Sequence, residues 1–190
     1  MSVVHDFTTD VLTWKPYVEP LDVAVATESQ RAAMGITPTT KNVSVYTRVL
    51  AHDAETLQSR TPLFNAIMYG KEGLSRGDRE LGAIGASIYN GCVYCTSVHA
   101  RFYQQFGAVP EIIEPIFAAG TDASLPEREQ AIFDFSVKLS HTPSAATAAD
   151  VHKLKAVGLT ETEIVDLVRA AALFGWANRL MHTLGEPERA

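Results

Sequence analysis

An uncharged run from Leu81 to Ala100 limits what this chain can fold into more strongly than its other features do. A helix of that length could cross a lipid bilayer. However, Asn90-Gly91 interrupts the run, and both residues favour a turn that ends a helix. Cysteine, serine, threonine and histidine side chains also lie within it. We therefore predict a buried core segment made of two helices separated by a turn, and not a membrane span.

The overall composition suits one domain that binds neither nucleic acid nor membranes. The chain has 190 residues and a net charge of -6, without a cluster of lysine and arginine. A nucleic-acid partner would need a basic face. The N-terminal stretch MSVVHDFTTDVLTWKP has two early aspartates and no apolar segment, so it does not resemble a signal peptide. We therefore expect a cytoplasmic protein.

Helical periodicity dominates the sequence and predicts an all-α fold of about seven to nine helices. Residues 1–41 are the least regular and should form an N-terminal arm packed on a helical domain of residues 42–190. Thr160 with Glu163 forms a capping box that should start the final helix. The third helix should kink or restart at Pro62. The predicted helices cover residues 22–34, 43–51, 53–68, 76–89, 92–106, 110–119, 127–140, 148–157 and 160–183.

The two cysteines of the chain form a CxxC pair, Cys92-Val93-Tyr94-Cys95. Cysteines so close together cannot connect distant parts of a domain, so the pair indicates redox chemistry or half of a metal site. On a helix, offsets of 0, 3 and 7 residues place Cys92, Cys95 and His99 within an arc of roughly 60°. The three side chains therefore share one face, and the two cysteines can cycle between dithiol and disulfide.

A turn at Asn90-Gly91 would place both cysteines in the first turn of a helix. The free N–H groups there favour a thiolate over a thiol, and the thiolate is the reactive form. His99 could accept or relay the proton. Glu80, on the preceding helix beside the uncharged run, is the candidate carboxylate for completing this relay.

Three segments together resemble the core of the alkylhydroperoxidase D/carboxymuconolactone decarboxylase-like superfamily. They are Arg79-Glu80-Leu81, Asn90-Gly91-Cys92-Val93-Tyr94-Cys95 and His99. The family pattern is a glutamate, eleven residues, CxxC, three residues and a histidine, and this sequence matches that spacing. The segment 174–180, with its Asn-Arg pair, is similar to the uncharacterised peroxidase-related branch. The resemblance extends from about residue 74 to residue 185.

The resemblance implies a compact multi-helix fold and a thiol-dependent peroxidase of the peroxiredoxin type. Cys95 would attack the hydroperoxide, and Cys92 would resolve the resulting sulfenic acid as a Cys92–Cys95 disulfide. Glu80 and His99 would relay protons, and no cofactor or metal is implied. An external dithiol would reduce the disulfide; in alkylhydroperoxidase D this donor is a lipoyl group on a partner protein. The family also implies a homo-oligomer, commonly a trimer or hexamer.

One position departs from the family, and three other interpretations stay open. Some alkylhydroperoxidase D proteins have a histidine where this chain has Tyr94. A lactone-processing or decarboxylase activity would need no dithiol, and a redox-sensing subunit would be no enzyme. Zinc could bind Cys92, Cys95, His99 and Glu80, although one helical face encloses a tetrahedral ion poorly. The remaining histidines show no ligand spacing and receive no role: His5, His52, His141, His152 and His182.

Overall fold

The computed structural model describes residues 2–37, 39–40 and 42–189. Over those residues, nine α-helices and one two-stranded antiparallel sheet form, which confirms the all-α prediction. The helices are α1 (Glu28–Ala33), α2 (Val45–Leu50), α3 (Ala54–Tyr69), α4 (Arg76–Tyr89), α5 (Val93–Phe106), α6 (Ile113–Ala119), α7 (Glu127–Ser140), α8 (Ala148–Ala156) and α9 (Glu161–Leu184), and the strands are β1 (Leu12–Pro16) and β2 (Gly185–Arg189). The predicted boundary at residue 41 falls outside the described residues.

One helix begins later than predicted, and another continues through a predicted break. The first begins at Glu28 and not near residue 22, because Thr27 and Gln30 form a capping box that starts it there. The third neither stops nor restarts at Pro62 and runs through it from Ala54 to Tyr69.

Helix α4 lies at the centre of the fold, and its burial explains the uncharged run that begins at Leu81. It packs against α5, α7 and α9, and every residue from Gly77 to Ile88 is buried. Glycines permit this close approach, because a Cβ atom on Gly85 would lie 2.9 Å from Ser136 Cβ on α7. Among the described residues, no helix is both long enough and apolar enough to cross a membrane.

The sheet joins the two ends of the chain, which the sequence did not predict. Strand β1 pairs with β2 so that Trp14 lies opposite Pro187. Trp14 is buried, and its Nε1 donates a hydrogen bond to the Met181 carbonyl at 3.3 Å. Its ring also meets Tyr46 edge to face, with ring centroids 5.4 Å apart. The N-terminal segment is therefore part of the packed structure near the start of α5.

Candidate active site

The turn between α4 and α5 places Cys92 at a helix start. Gly91 adopts a φ of 67°, its N–H donates to the Ile88 carbonyl at 3.1 Å, and the Cys92 N–H donates to the Ser87 carbonyl at 2.8 Å. This hydrogen-bond pattern is the Schellman motif, which ends a helix at a glycine. Cys92 is then the N-cap of α5, and Cys95 is the third residue of that helix.

The two sulfur atoms form a close pair inside the protein. Both thiols are free and buried, and their Sγ atoms lie 3.0 Å apart, within hydrogen-bond distance. The pKa of Cys92 is lowered to about 5, first by its hydrogen bond with Cys95, and then by the His182 imidazole and the Cys95 backbone N–H. That same hydrogen bond, together with burial, raises the pKa of Cys95. The close sulfur pair therefore favours one thiolate, with the pKa lowered at Cys92 and raised at Cys95.

The predicted carboxylate and histidine form a second buried pair. Glu80 is fully buried on α4, and its Oε2 contacts His99 Nδ1 on α5. Its other oxygen, Oε1, accepts a hydrogen bond from Arg76 Nε. The His99 ring packs edge to face on Phe174 of α9 at 4.3 Å between ring centroids. Among the described contacts, no hydrogen bond joins His99 directly to either sulfur.

A buried amide on α9 links these elements, and the sequence reasoning gave it no role. Asn178 donates from Nδ2 to Ser87 Oγ at 3.1 Å and accepts at Oδ1 from Asn90 Nδ2 at 3.1 Å. It also hydrogen-bonds Cys95, which opposes the rise in the pKa of that thiol. Asn178 thus holds the end of α4 and the CxxC segment against α9. Its place in the Asn-Arg pair that resembles the family was the signal that could have identified it.

A cavity of about 260 Å³ opens beside Cys92. Its wall includes His182 on α9, which was assigned no role from the sequence, and Trp14 from the unpredicted strand β1. Tyr94, the departure from the family pattern, is half-buried and lines the same cavity. Hydrogen bonding with Cys92 raises the pKa of His182. Cys92 and His182 therefore line one cavity, and each shifts the pKa of the other in the direction that favours its charged form.

The four predicted site residues form two pairs and do not converge on one point. Cys92 contacts Cys95, whereas Glu80 contacts His99. Within residues 2–37, 39–40 and 42–189, no group of three or more histidine, cysteine, aspartate and glutamate side chains is arranged to hold a metal ion. The described residues therefore offer no ligand set for the zinc interpretation.

Solved structures of other proteins have the same fold. A peroxidase-related protein from Ralstonia eutropha JMP134, described as an alkylhydroperoxidase AhpD core, is 23% identical and superposes with a TM-score of 0.74 over 89% of this chain and 90% of its own. A peroxidase-related protein from Silicibacter sp. TM1040 is 24% identical, with a TM-score of 0.68 over 92% and 94%. The apo debrominase Bmp8 is 16% identical, with a TM-score of 0.67 over 89% and 90%. These likenesses define an alkylhydroperoxidase D-like fold.

The sequence profile agrees with that fold. Residues 54–138 match the Carboxymuconolactone decarboxylase family, and that segment contains all four predicted site residues. The match and the fold together support the alkylhydroperoxidase D/carboxymuconolactone decarboxylase-like superfamily that the resemblance predicted. No curated protein matches the sequence. Asn178 and His182 lie outside the matched segment.

Proposed function

We propose that the protein is a thiol-dependent peroxidase that reduces a small hydroperoxide through a Cys92–Cys95 dithiol/disulfide cycle. The observation that carries this proposal is the pair of free sulfur atoms 3.0 Å apart, one of them with a pKa of about 5, beside an open cavity. A thiolate at neutral pH attacks peroxides, and a thiol within contact distance resolves the product.

Atoms and electrons balance in this cycle without a cofactor. One thiolate attacks the terminal peroxide oxygen, the O–O bond breaks, and a sulfenic acid and an alkoxide form. The second thiol attacks the sulfenic sulfur, so that a disulfide forms and water leaves. The two cysteines lose two electrons in total, and the peroxide gains them. In this proposal the buried Glu80–His99 pair is the proton relay for the cycle.

An external dithiol must return the disulfide to the reduced state. We propose that this donor is a small or protein-bound dithiol, with a lipoyl group on a partner protein as the family-based candidate. The need for such donors fits a reducing compartment, and for that reason cytoplasmic location is part of the proposal. Assembly into a homo-oligomer, a trimer or hexamer, is proposed on the family resemblance and is measurable by light scattering.

The main alternative is a decarboxylase-like or lactone-processing activity, which the family name allows. The paired cysteines argue against it, because that chemistry has no need for a dithiol. A non-enzymatic redox subunit is the other alternative, and it requires a disulfide that forms slowly with every peroxide.

The decisive experiment is to titrate the reduced protein with hydrogen peroxide and with tert-butyl hydroperoxide. We expect one equivalent to be consumed, with a loss of two hydrogens confined to the peptide that contains Cys92 and Cys95. The Cys92→Ser/Cys95→Ser double variant is the control and should consume none. Unreactive thiols in the wild type, or turnover of a lactone acid by the double variant, would reject the peroxidase function.

A further inference from the structure

The two sulfur atoms lie in different environments. This difference indicates which of them a substrate would reach. Cys92 forms part of the wall of the cavity of about 260 Å³, whereas Cys95 does not contribute to that wall among the described residues. Both cysteines pack in the same apolar cluster, but hydrogen bonding with Asn178 affects the pKa of Cys95 alone. A hydroperoxide that enters this cavity therefore reaches Cys92 first.

The same cavity contains an imidazole placed to act on Cys92. His182 lies four residues after Asn178 on α9, so both side chains share one face of that helix. Asn178 is fully buried and bonded to Ser87 and Asn90, which fixes α9 against the turn that carries Cys92. His182 itself remains open to solvent on the cavity wall. His182 and Cys92 therefore border the same cavity, which is the space that a substrate would occupy.

We propose that Cys92 is the sulfur that attacks the hydroperoxide from this cavity, and that His182 is its catalytic acid–base partner. The inference rests on the peroxidase function proposed above, and it reverses the cysteine roles that the family resemblance implies. His182 also supplies a histidine to the CxxC segment from α9, where this chain has Tyr94 in place of the histidine of some relatives.

Each step of this assignment balances. The Cys92 thiolate attacks the terminal oxygen of ROOH, the O–O bond breaks, and Cys92 becomes a sulfenic acid. The leaving RO⁻ takes the proton of the His182 imidazolium and departs as ROH. Cys95 then attacks the sulfenic sulfur, the disulfide forms, and the displaced hydroxide takes the Cys95 proton to give water. Cys95 is placed for this second step, because its sulfur lies 3.0 Å from that of Cys92 and it gives up its proton to the departing hydroxide as it attacks.

The charges around the cavity support the thiolate–imidazolium pair. The pKa of Cys92 is lowered to about 5, with the His182 imidazole contributing after Cys95, and the pKa of His182 is raised by the same contact. Lys15 lies 3.4 Å from Glu186 and 3.6 Å from Glu188, so it compensates one of these two negative charges and the other remains near the cavity. The other titratable side chains on the wall are His5, Tyr17 and Tyr94.

The first test separates the two sulfurs by trapping the sulfenic acid. Cys95→Ser and Cys92→Ser proteins are treated with tert-butyl hydroperoxide and dimedone, and the adduct is located by mass spectrometry. Serine keeps an O–H donor at the substituted position. We expect Cys92 in Cys95→Ser to be labelled at least ten times faster than Cys95 in Cys92→Ser. Equal or faster labelling of Cys95 overturns this inference but leaves the peroxidase function standing. Labelling of neither rejects both.

The second test probes His182 in the intact dithiol, so it does not depend on the cysteine variants folding. Reduced wild-type protein is alkylated with iodoacetamide across pH 4 to 9, and the rate at the Cys92 peptide is followed. The midpoint should lie at about 5 in the wild type. It should rise by about one to three units in His182→Gln, because an opposite charge is lost. His152→Gln, which changes an exposed histidine on α8, is the control and should leave the midpoint unchanged. An unchanged midpoint in His182→Gln overturns the role of His182.

Discussion

The imidazole of His99 is held by the carboxylate of Glu80 across the contact between α4 and α5, and both side chains are buried. Arg76 approaches the same carboxylate from the preceding turn of α4, and its guanidinium lies over the rings of Tyr69 and Phe102. Each carboxylate oxygen of Glu80 therefore has a hydrogen-bond partner, which allows this side chain to remain buried between the helices.

Replacing Glu80 with glutamine should slow peroxide consumption at least about tenfold, because the relay loses its carboxylate. The free energy of unfolding should fall by about 1–3 kcal/mol, because buried hydrogen bonds to a charged group are weakened. Stopped-flow peroxide consumption and urea unfolding measure the two effects. Glu161→Gln, which changes an exposed carboxylate paired with Lys155, should leave the rate unchanged. A wild-type rate in Glu80→Gln would remove Glu80 from the proposed relay.

Replacing Asn178 with alanine should lower the free energy of unfolding by about 1–3 kcal/mol, because buried polar groups of Ser87 and Asn90 lose their partner. The control is Asn65→Ala, which changes an exposed asparagine on α3 and should stay within about 0.5 kcal/mol. Urea unfolding of the reduced proteins compares the two. Equal stability of both variants would show that the Asn178 bridge contributes little.

The same change from glycine to alanine should have opposite effects in α4 and α9. In Gly85→Ala the new Cβ would lie 2.9 Å from Ser136 Cβ, so α4 and α7 must separate, at a cost of about 1–3 kcal/mol. In Gly175→Ala the nearest contact is 3.6 Å, to the flexible Arg179 side chain. The helix preference for alanine should then stabilise the protein by up to about 1 kcal/mol. Thermal unfolding of both variants is the measurement, and similar shifts in one direction would contradict the expectation.

Removal of the Trp14 indole should both destabilise the protein and open the cavity beside Cys92. Trp14→Ala should reduce the free energy of unfolding by about 3–5 kcal/mol, because the buried ring loses its contacts with Tyr46 and β2. A bulky maleimide should react faster with Cys92 in this variant, as measured by peptide mass spectrometry below its melting temperature. Trp176→Ala, which removes a partly exposed ring on α9, should leave the Cys92 rate unchanged.

The sequence predicted those parts of the site that depend on local spacing. The Asn90-Gly91 signal identified the turn because the residue after the cap must adopt a left-handed backbone, and Gly91 does so. The spacing from Glu80 through CxxC to His99 indicated the site residues. The angle at that turn decides which of them touch, and no local pattern specifies it. Glu80 and His99 contact each other, whereas the cysteines form a separate pair.

The remaining parts depend on contacts between distant segments. Strand β1 pairs with β2 at the other end of the chain, and neither five-residue segment shows a strand pattern strong enough to predict alone. His182 follows a largely apolar stretch of α9, and it reaches the cavity beside Cys92 because α9 packs against α4. The pKa values of the two thiols depend first on the hydrogen bond between them and then on His182 and Asn178, and the CxxC motif alone shows neither of these two neighbours.

Because β1 and β2 pair side by side, Leu12 lies opposite Arg189, and both strands contribute residues to the wall of the cavity beside Cys92. An affinity tag attached beyond Arg189 would therefore leave the protein from the strand that borders the reactive sulfur. Histidine tags in particular would add imidazoles and bound nickel close to a thiolate. Kinetic comparisons of hydroperoxides should use protein from which such a tag has been cleaved.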